Sequence, residues 1–363
     1  MKKFPKYLAG LLAAVLVFST AGCADCTPEA QTVPTGSTQP AVSETEAAPA
    51  QTEPVQTEPP QTEAAAESFL LTFVGDCTLG CRDSHSYMDY GFTRTIGDDY
   101  GFPFRNVIGY FENDEFTMVN LEGTFCDTGN PVQKAHTFRG PTAYVNILTE
   151  NSVEAVSLAN NHSMDYGQKG YDSTVATLET AGIPYVERDS STVITTENGL
   201  TIGIYGAVYY LLDEAVITEA IRQLRSQADL VVFAPHWGIE KTYTPTAEQT
   251  RLAHAAIDAG ADIVYGSHPH ALQPMEEYNG GIIYYSLGNF SFGGNIYPED
   301  YDSAVIQQEV IREPDGTVRL GQTLTVPVCI SSISGRNNFQ PTPYAEGSQE
   351  YDRVLAKLSG IWK

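Results

Sequence analysis

Leu230-Val231-Val232-Phe233 is one of a series of short apolar runs that the chain separates by helix-length amphipathic segments. Four unbroken apolar residues suit a strand buried on both faces, not one with a wet side. Comparable runs predict strands over 69–75, 116–121, 155–159, 200–207, 229–235, 262–267, 281–287, 303–311 and 318–330. Helical spacing predicts helices over 168–182, 213–227, 247–260 and 348–359, with Gly182 and Gly260 as stops. Strands alternating with helices imply an α/β layered fold with much parallel pairing. From about residue 281 the strands follow one another without helices, which predicts antiparallel pairing in a second sheet. Residues 76–115 are too long for a simple connection and are expected to be functional or partly helical.

The polar residues that follow these runs are not random. Val74-Gly75 leads to Asp76, and Val119-Asn120 leads to Glu122. Leu158-Ala159 leads to Asn160-Asn161-His162, Ala234-Pro235 to His236, and Tyr265-Gly266 to Ser267-His268-Pro269-His270. The chain has seven histidines, so four of them after three strands is a concentration. Ligands in layered α/β folds collect at the carboxyl ends of strands. A mixed set of imidazoles, carboxylates and amides suits Zn, Fe or Mn better than Ca or Mg. One or two such divalent ions would polarise an oxyanion and generate hydroxide near neutral pH.

The N-terminus reads as a targeting segment. Lys2, Lys3 and Lys6 precede an uncharged, mostly apolar stretch from Tyr7 to Ser19, too short for a membrane span of about 20 residues. It ends in Thr20-Ala21-Gly22-Cys23, which resembles a bacterial lipobox. Residues 1–23 are therefore expected to be a lipoprotein signal peptide ending at the lipidated Cys23. The mature protein would then be lipid-anchored on the extracellular face of the cytoplasmic membrane; plain secretion is the alternative. Residues 24–68 contain seven prolines and eight acidic residues, with no Lys, Arg or aromatic residue, and repeat Gln-Thr-Glu three times. Such a segment cannot build a core and predicts a disordered, Pro/Thr/Glu-rich linker.

Residues 69–363 hold 17 Lys+Arg and 37 Asp+Glu, a formal charge of −20. That field argues against nucleic acid as a partner and against unassisted capture of a polyanion. The six cysteines form no paired zinc-type motif, and Cys23-x-x-Cys26 lies outside any βαβ unit.

Six motifs in order carry a resemblance: Phe73-Val74-Gly75-Asp76, Asn120-Leu121-Glu122-Gly123, Ser157 through Gly167, His236-Trp237-Gly238-Ile239-Glu240, Gly266-Ser267-His268-Pro269-His270 and Tyr285 through Phe290. Over roughly 69–294 the chain resembles the CapA family of capsule (poly-γ-glutamate) synthesis proteins, which is related to calcineurin-like metallophosphatases. The resemblance implies a four-layer αββα sandwich over 69–330, with 331–363 as a C-terminal extension packed on it. It implies Asp76, Glu122, Asn161, His236, His268 and His270 as metal ligands. His162 would be the acid/base group, with Asp165 beside it, and Asn120, Asp165 and Glu240 would orient the ligands. Arg139, in His136-Thr137-Phe138-Arg139-Gly140-Pro141, would receive an anionic group. One departure stands out: metallophosphatases begin with Asp-x-His, whereas Asp76 is followed by Cys77 and Thr78.

The expected role is synthesis, export or attachment of poly-γ-glutamate or another envelope polymer, alongside synthase subunits, by metal-assisted hydrolysis or transfer. A secreted metal-dependent phosphoesterase and a non-catalytic polymer-binding scaffold are the alternatives. Ser267 lacks a nucleophile elbow, and Ser286 reads as part of a turn near the site. His254 reads as packing or surface, and His85 and His136 as loop residues.

Overall fold

The computed structural model describes residues 65–361. The expected signal peptide, Cys23 and the linker up to residue 64 lie outside the described residues. The chain enters at β1 (Glu67–Val74) and the short β2 (Asp76–Thr78). Two short helices, α1 (Phe92–Ile96) and α2 (Ile108–Phe111), lead to β3 (Phe116–Asn120). A ribbon of β4 (Thr124–Phe125) and β5 (Arg139–Gly140) precedes α3 (Val145–Thr149) and β6 (Ala155–Ser157). Then come α4 (Gly167–Ala181), β7 (Tyr185–Val186), β8 (Ser190–Thr195) and β9 (Thr201–Val208). Next are α5 (Glu214–Arg225), β10 (Leu230–His236), α6 (Ala247–Asp258) and β11 (Ile263–Tyr265). The hairpin β12 (Met275–Tyr278) and β13 (Gly281–Tyr284) precedes β14 (Asn289–Phe292), which pairs with β2. The long β15 (Asp302–Arg312) and β16 (Val318–Cys329), then β17 (Thr342–Pro343) and α7 (Gln349–Leu358), complete the chain.

Two mixed sheets result. The first has the order β17-β16-β15-β1-β3-β6-β7 and the second β12-β13-β11-β10-β9-β8. Side-chain alternation along the strands decides the layers. Phe69, Leu71 and Phe73 of β1 share a core with Ile202 and Ile204 of β9 and Leu230 and Val232 of β10. That core joins the two sheets face to face. On the outer side of the first sheet, Val74, Val119 and Val156 pack with Phe92, Ile147 and Leu178 of α1, α3 and α4. Beyond the second sheet, Val231 and Phe233 meet Ile217 and Ile221 of α5 and Leu252 and Ala256 of α6. The result is helices, sheet, sheet, helices: the four-layer αββα sandwich expected from the resemblance. Full burial of each such side chain is worth roughly 1.5–3 kcal/mol, so β10, buried along its whole length, holds both interfaces at once.

Helix boundaries follow local chemistry. Asp213 caps α5 through the Ala215 and Val216 amides. Thr246 and Gln249 form a reciprocal capping box on α6. Gly182 ends α4 at φ 74°, a left-handed position that a Cβ disfavours.

Two expectations need correction. The strands after 281 do not form a sheet of their own. β13 pairs parallel with β11, while β15 pairs antiparallel with β1 and β16 antiparallel with β15. Strand-rich sequence reveals pairing partners only through long-range register, which periodicity does not encode. Glu67 and Ser68, counted with the linker, are the first rungs of β1 opposite Arg312 and Ile311. In the C-terminal segment β17 pairs with β16, and Val354 and Leu358 of α7 enter the inter-sheet core.

Candidate metal centre

The carboxyl ends of β1, β3, β6, β10 and β11 meet, and the five polar clusters of the sequence meet with them. Gly75 lets this happen at β1: a Cβ there would lie 2.4 Å from Gly288 O. The close approach seats the Asp76 amide on Gly288 O at 2.8 Å. Asp76 is fully buried, and its Oδ1 accepts from Asn120 Nδ2 at 2.8 Å. Asn120 Oδ1 accepts in turn from Asn160 Nδ2 at 3.0 Å, and Asn160 Oδ1 accepts from the His162 amide. The amides thus tie the ends of β1, β3 and β6 together. His268 and His270 both have positive φ, 99° and 53°. Such conformations in non-glycine residues cost roughly 1–3 kcal/mol each and gather at functional sites. Here they bring His268 Nδ1 to 3.1 Å from His236 Nε2, and His270 Nδ1 to 3.0 Å from Asp76 Oδ2.

Glu122 is the most informative group. Its carboxylate is fully buried, and neither oxygen has a hydrogen-bond partner. Oε1 lies 3.7 Å from His236 Nε2, 3.7 Å from His270 Nε2 and 3.8 Å from His162 Nε2. Those gaps are too long for hydrogen bonds. Taken pair by pair they are near the spacing of two ligands on one cation: two atoms each about 2.1 Å from a tetrahedral ion lie roughly 3.4 Å apart, and farther as the angle opens. His236 Nε2 also faces Asn161 Oδ1 at 2.9 Å, so several lone pairs converge on one point and one proton cannot serve them all. Asp76, Glu122 and His270 offer ligand atoms within 4.8 Å of one another, as do Glu240, His268 and His270. The donor set fits a divalent cation of the Zn, Fe or Mn type. Burial lifts the Glu122 carboxyl well above the ordinary carboxylate range. Burial opposes charge on His270, but Glu122 and Asp76 outweigh it and hold that imidazole at about 9. Burial and the charge on His270 push His268 down to about 4. Burial, then His268, His270 and His162, push the His236 imidazole well below its ordinary value.

His162 is held differently. Asp165 Oδ2 lies 2.6 Å from its Nδ1, leaving Nε2 toward Glu122. Burial lowers its pKa, and Asp165 works against that. Aromatic rings fix three imidazoles: Phe138 lies 4.5 Å from the His162 ring, Phe292 4.9 Å from His270, and Tyr209 stacks on His268 at 5.0 Å. These three, with Lys134, Arg82 and Asn289, are the site residues that sequence reasoning missed. Only Tyr209, just past β9, lies at the end of a main-sheet parallel strand. Lys134 Nζ reaches Asp165 Oδ1 at 3.1 Å and Asn161 O at 2.8 Å. Ser267, set aside as a nucleophile, has a supporting place: its Oγ lies 2.8 Å from His236 Nδ1. Glu240 borders the cavity and shares a ligand group with His268 and His270.

One expectation changes. Arg139 does not line the cavity beside the histidines. It ion-pairs with Asp83 at 3.0 Å and lies over the Tyr166 ring. The position after Asp76 is equally plain. Cys77 is buried, its thiol pushed far up by burial and directed to Gly75 O, so it is no ligand. Thr78 Oγ1 is buried without a partner. The strand therefore offers no imidazole where Asp-x-His proteins have one. His254 lies apart, stacked on Tyr278 and 2.9 Å from Glu276.

A cavity of about 240 Å³ opens in front of the centre, lined by Arg82, His136, Phe138, His162, His270 and Asn289. Glu240, Glu299 and Asp300 line it as well. The capsule biosynthesis protein CapA of Bacillus anthracis is 31% identical over 270 residues, covering 66% of this chain and 64% of its own length. The PGA biosynthesis protein CapA of Bacillus subtilis (strain 168) is 29% identical over 312 residues, covering 79% and 77%. The chain thus spans slightly under two thirds of the first of these relatives. Among solved structures, Haemophilus influenzae NAD nucleotidase (NadN) aligns with TM-score 0.41 and 13% identity over 82% of this chain and 63% of that one. The profile described as bacterial capsule synthesis protein PGA_cap matches residues 70–294, and the chain belongs to that family.

Proposed function

We propose that this protein works on poly-γ-glutamate at the cell envelope, in its synthesis, export or attachment, through a metal-assisted site. The observation that carries the metal is Glu122, a buried carboxylate with no hydrogen-bond partner and three imidazole nitrogens at 3.7–3.8 Å. Family membership supports the polymer. The basic, then apolar, N-terminus closed by Cys23 supports lipid anchoring outside the cytoplasmic membrane, close to the synthase subunits such a polymer requires.

Asp76, Glu122 and His270, whose ligand atoms lie within 4.8 Å of one another, would hold one divalent cation, and Asn161, His236 and His268 would offer donors for a second. Such a cation polarises a carbonyl or phosphoryl oxygen and acidifies bound water. The chain's own residues do the rest. Asp165 Oδ2 accepts a hydrogen bond from His162 Nδ1–H, so Nε2 is the atom that accepts or gives a proton. Phe138 and Phe292 cover His162 and His270 and limit access of water. Thr78 in place of an imidazole leaves the Asp76 side poorer in nitrogen, which favours a single tightly held ion.

The test is metal analysis of the full chain purified in detergent. About one equivalent in the wild type and almost none in Glu122→Gln is expected. A metal-free wild type after loading would sink the reading. Turnover of a generic phosphodiester, lost in His236→Ala, would point instead to the phosphoesterase. Polymer binding without cleavage, unchanged in His270→Ala, would point to the scaffold.

A further inference from the structure

We infer that Arg82 is the seat for a carboxylate of the substrate at the mouth of the cavity, a role for which the sequence pointed to Arg139. The identity of the polymer rests on the function proposed above; the anion seat rests on geometry alone.

The argument begins with charge. The chain has 20 basic and 45 acidic residues, so a cation readily finds an acid. Arg105, Arg225, Arg251, Arg312, Arg319 and Arg353 all do. Arg139 takes Asp83, the residue next to Arg82. Arg82 itself has no ion pair among the described residues, and its Nε is buried without a partner. Arg94, Arg188 and Arg336 likewise have no ion pair among the described residues, so the lack of an acid does not by itself assign a role, and Arg82 needs a further reason.

Its position supplies one. Arg82 lines the cavity that His162, His270 and Asn289 also line. The backbone beneath it is fixed: Cys81 and Arg139 exchange amide hydrogen bonds at 3.0 and 3.1 Å, and the His85 amide donates to Arg82 O at 2.8 Å. Its Nη2 lies 3.5 Å from His136 Nε2. Burial and the Arg82 charge both lower the pKa of His136, so that ring stays neutral and does not compete for the anion. The planar fork of a guanidinium matches two oxygens of one group, carboxylate or phosphate, better than an ammonium does. Lys134 is already committed to Asp165 and the Asn161 carbonyl. Glu240, Glu299 and Asp300 also line the cavity and repel a second anion. Lys241, another cation of the lining, is taken by Glu299 at 2.8 Å, which leaves Arg82 for an oxyanion. In a γ-linked glutamate chain each residue carries one free carboxylate beside its amide, which matches a single anion seat next to an amide-cleaving or amide-forming centre.

The experiment uses the full chain in detergent, loaded with Mn²⁺, and titrates it with a short γ-linked glutamate oligomer and, separately, with inorganic phosphate. Wild type, Arg82→Gln, Arg82→Lys and the surface control Arg105→Gln are compared by calorimetry, with metal content measured on each. Arg82→Gln is expected to weaken oligomer binding about tenfold or more, Arg82→Lys less, and Arg105→Gln not at all, at equal metal content. Phosphate bound through Arg82 with no affinity for the oligomer would keep the anion seat and overturn the polymer. Equal oligomer affinity in wild type and Arg82→Gln would overturn the inference. So would loss of metal in Arg82→Gln, which would make the residue structural, or a wild type that binds neither probe.

Discussion

Asp165 Oδ2 lies 2.6 Å from His162 Nδ1, and both groups are buried. A carboxylate rather than solvent therefore decides which nitrogen of that imidazole carries the proton. Asp165→Asn keeps the shape and loses the charge that favours this tautomer. We expect metal content to stay near that of the wild type while turnover falls at least 10–100-fold, the range seen when a partner that orients a reactive group is removed. Metal analysis beside single-turnover kinetics checks it.

Ser267 supports His236 in a different way. Its Oγ lies 2.8 Å from His236 Nδ1 and 3.4 Å from Pro235 O. A proton donated from Nδ1 to Ser267 leaves the Nε2 lone pair for a cation. Ser267→Ala should therefore weaken metal binding about 10–100-fold without unfolding the chain. Competition with a chelator of known affinity measures the change.

Glu122 predicts opposite effects with and without metal. Its buried, unpartnered carboxylate destabilises the metal-free fold. Glu122→Gln should raise the stability of chelator-treated protein by about 1–3 kcal/mol and abolish the stabilisation that added metal gives the wild type. Thermal melts of both proteins, with chelator and with Mn²⁺, decide this. A mutant that still gains stability from metal would contradict the ligand assignment.

Asp302 carries a pH prediction away from the centre. Burial alone would raise its pKa, but Arg353 and Lys357 hold it below the ordinary aspartate value. Arg353 Nε and Lys357 Nζ lie 2.7 and 2.8 Å from Oδ2 and pin α7 to β15. A depressed carboxylate pKa contributes stability above the unfolded value and loses it as pH falls through the folded one. Asp302→Asn should therefore cost about 2–4 kcal/mol at pH 7, with the difference from wild type shrinking below about pH 4. Urea unfolding at both pH values checks the sign.

Much of the site was legible in the chain because parallel strands impose order. Each apolar run ends where its strand ends, and the first polar residues after it must face the crevice. Asp76, Glu122, Asn161, His162, His236, His268 and His270 follow that rule, and the structure brings them together. Arg139 did not follow it. A long cation in a loop is placed by its nearest acid, and Asp83 took it. Arg82 and Lys134 were equally hidden, because ion pairing between loops depends on their paths and not on their period. The strands after 281 were visible as strands but not as partners: β15 reaches back some 230 residues to lie against β1.

The sequence by itself determined the alternation of strands and helices, the family, and the order of the ligands along the chain. Periodicity and strand-end chemistry are local properties, and local properties survive in one dimension. Only the tertiary structure decided that three imidazoles surround one unpartnered carboxylate, that aromatic rings lock them, and that Arg82 rather than Arg139 faces the cavity. Those are matters of distance between segments far apart in the chain, set by how the two sheets stack and where the loops between strands can pass.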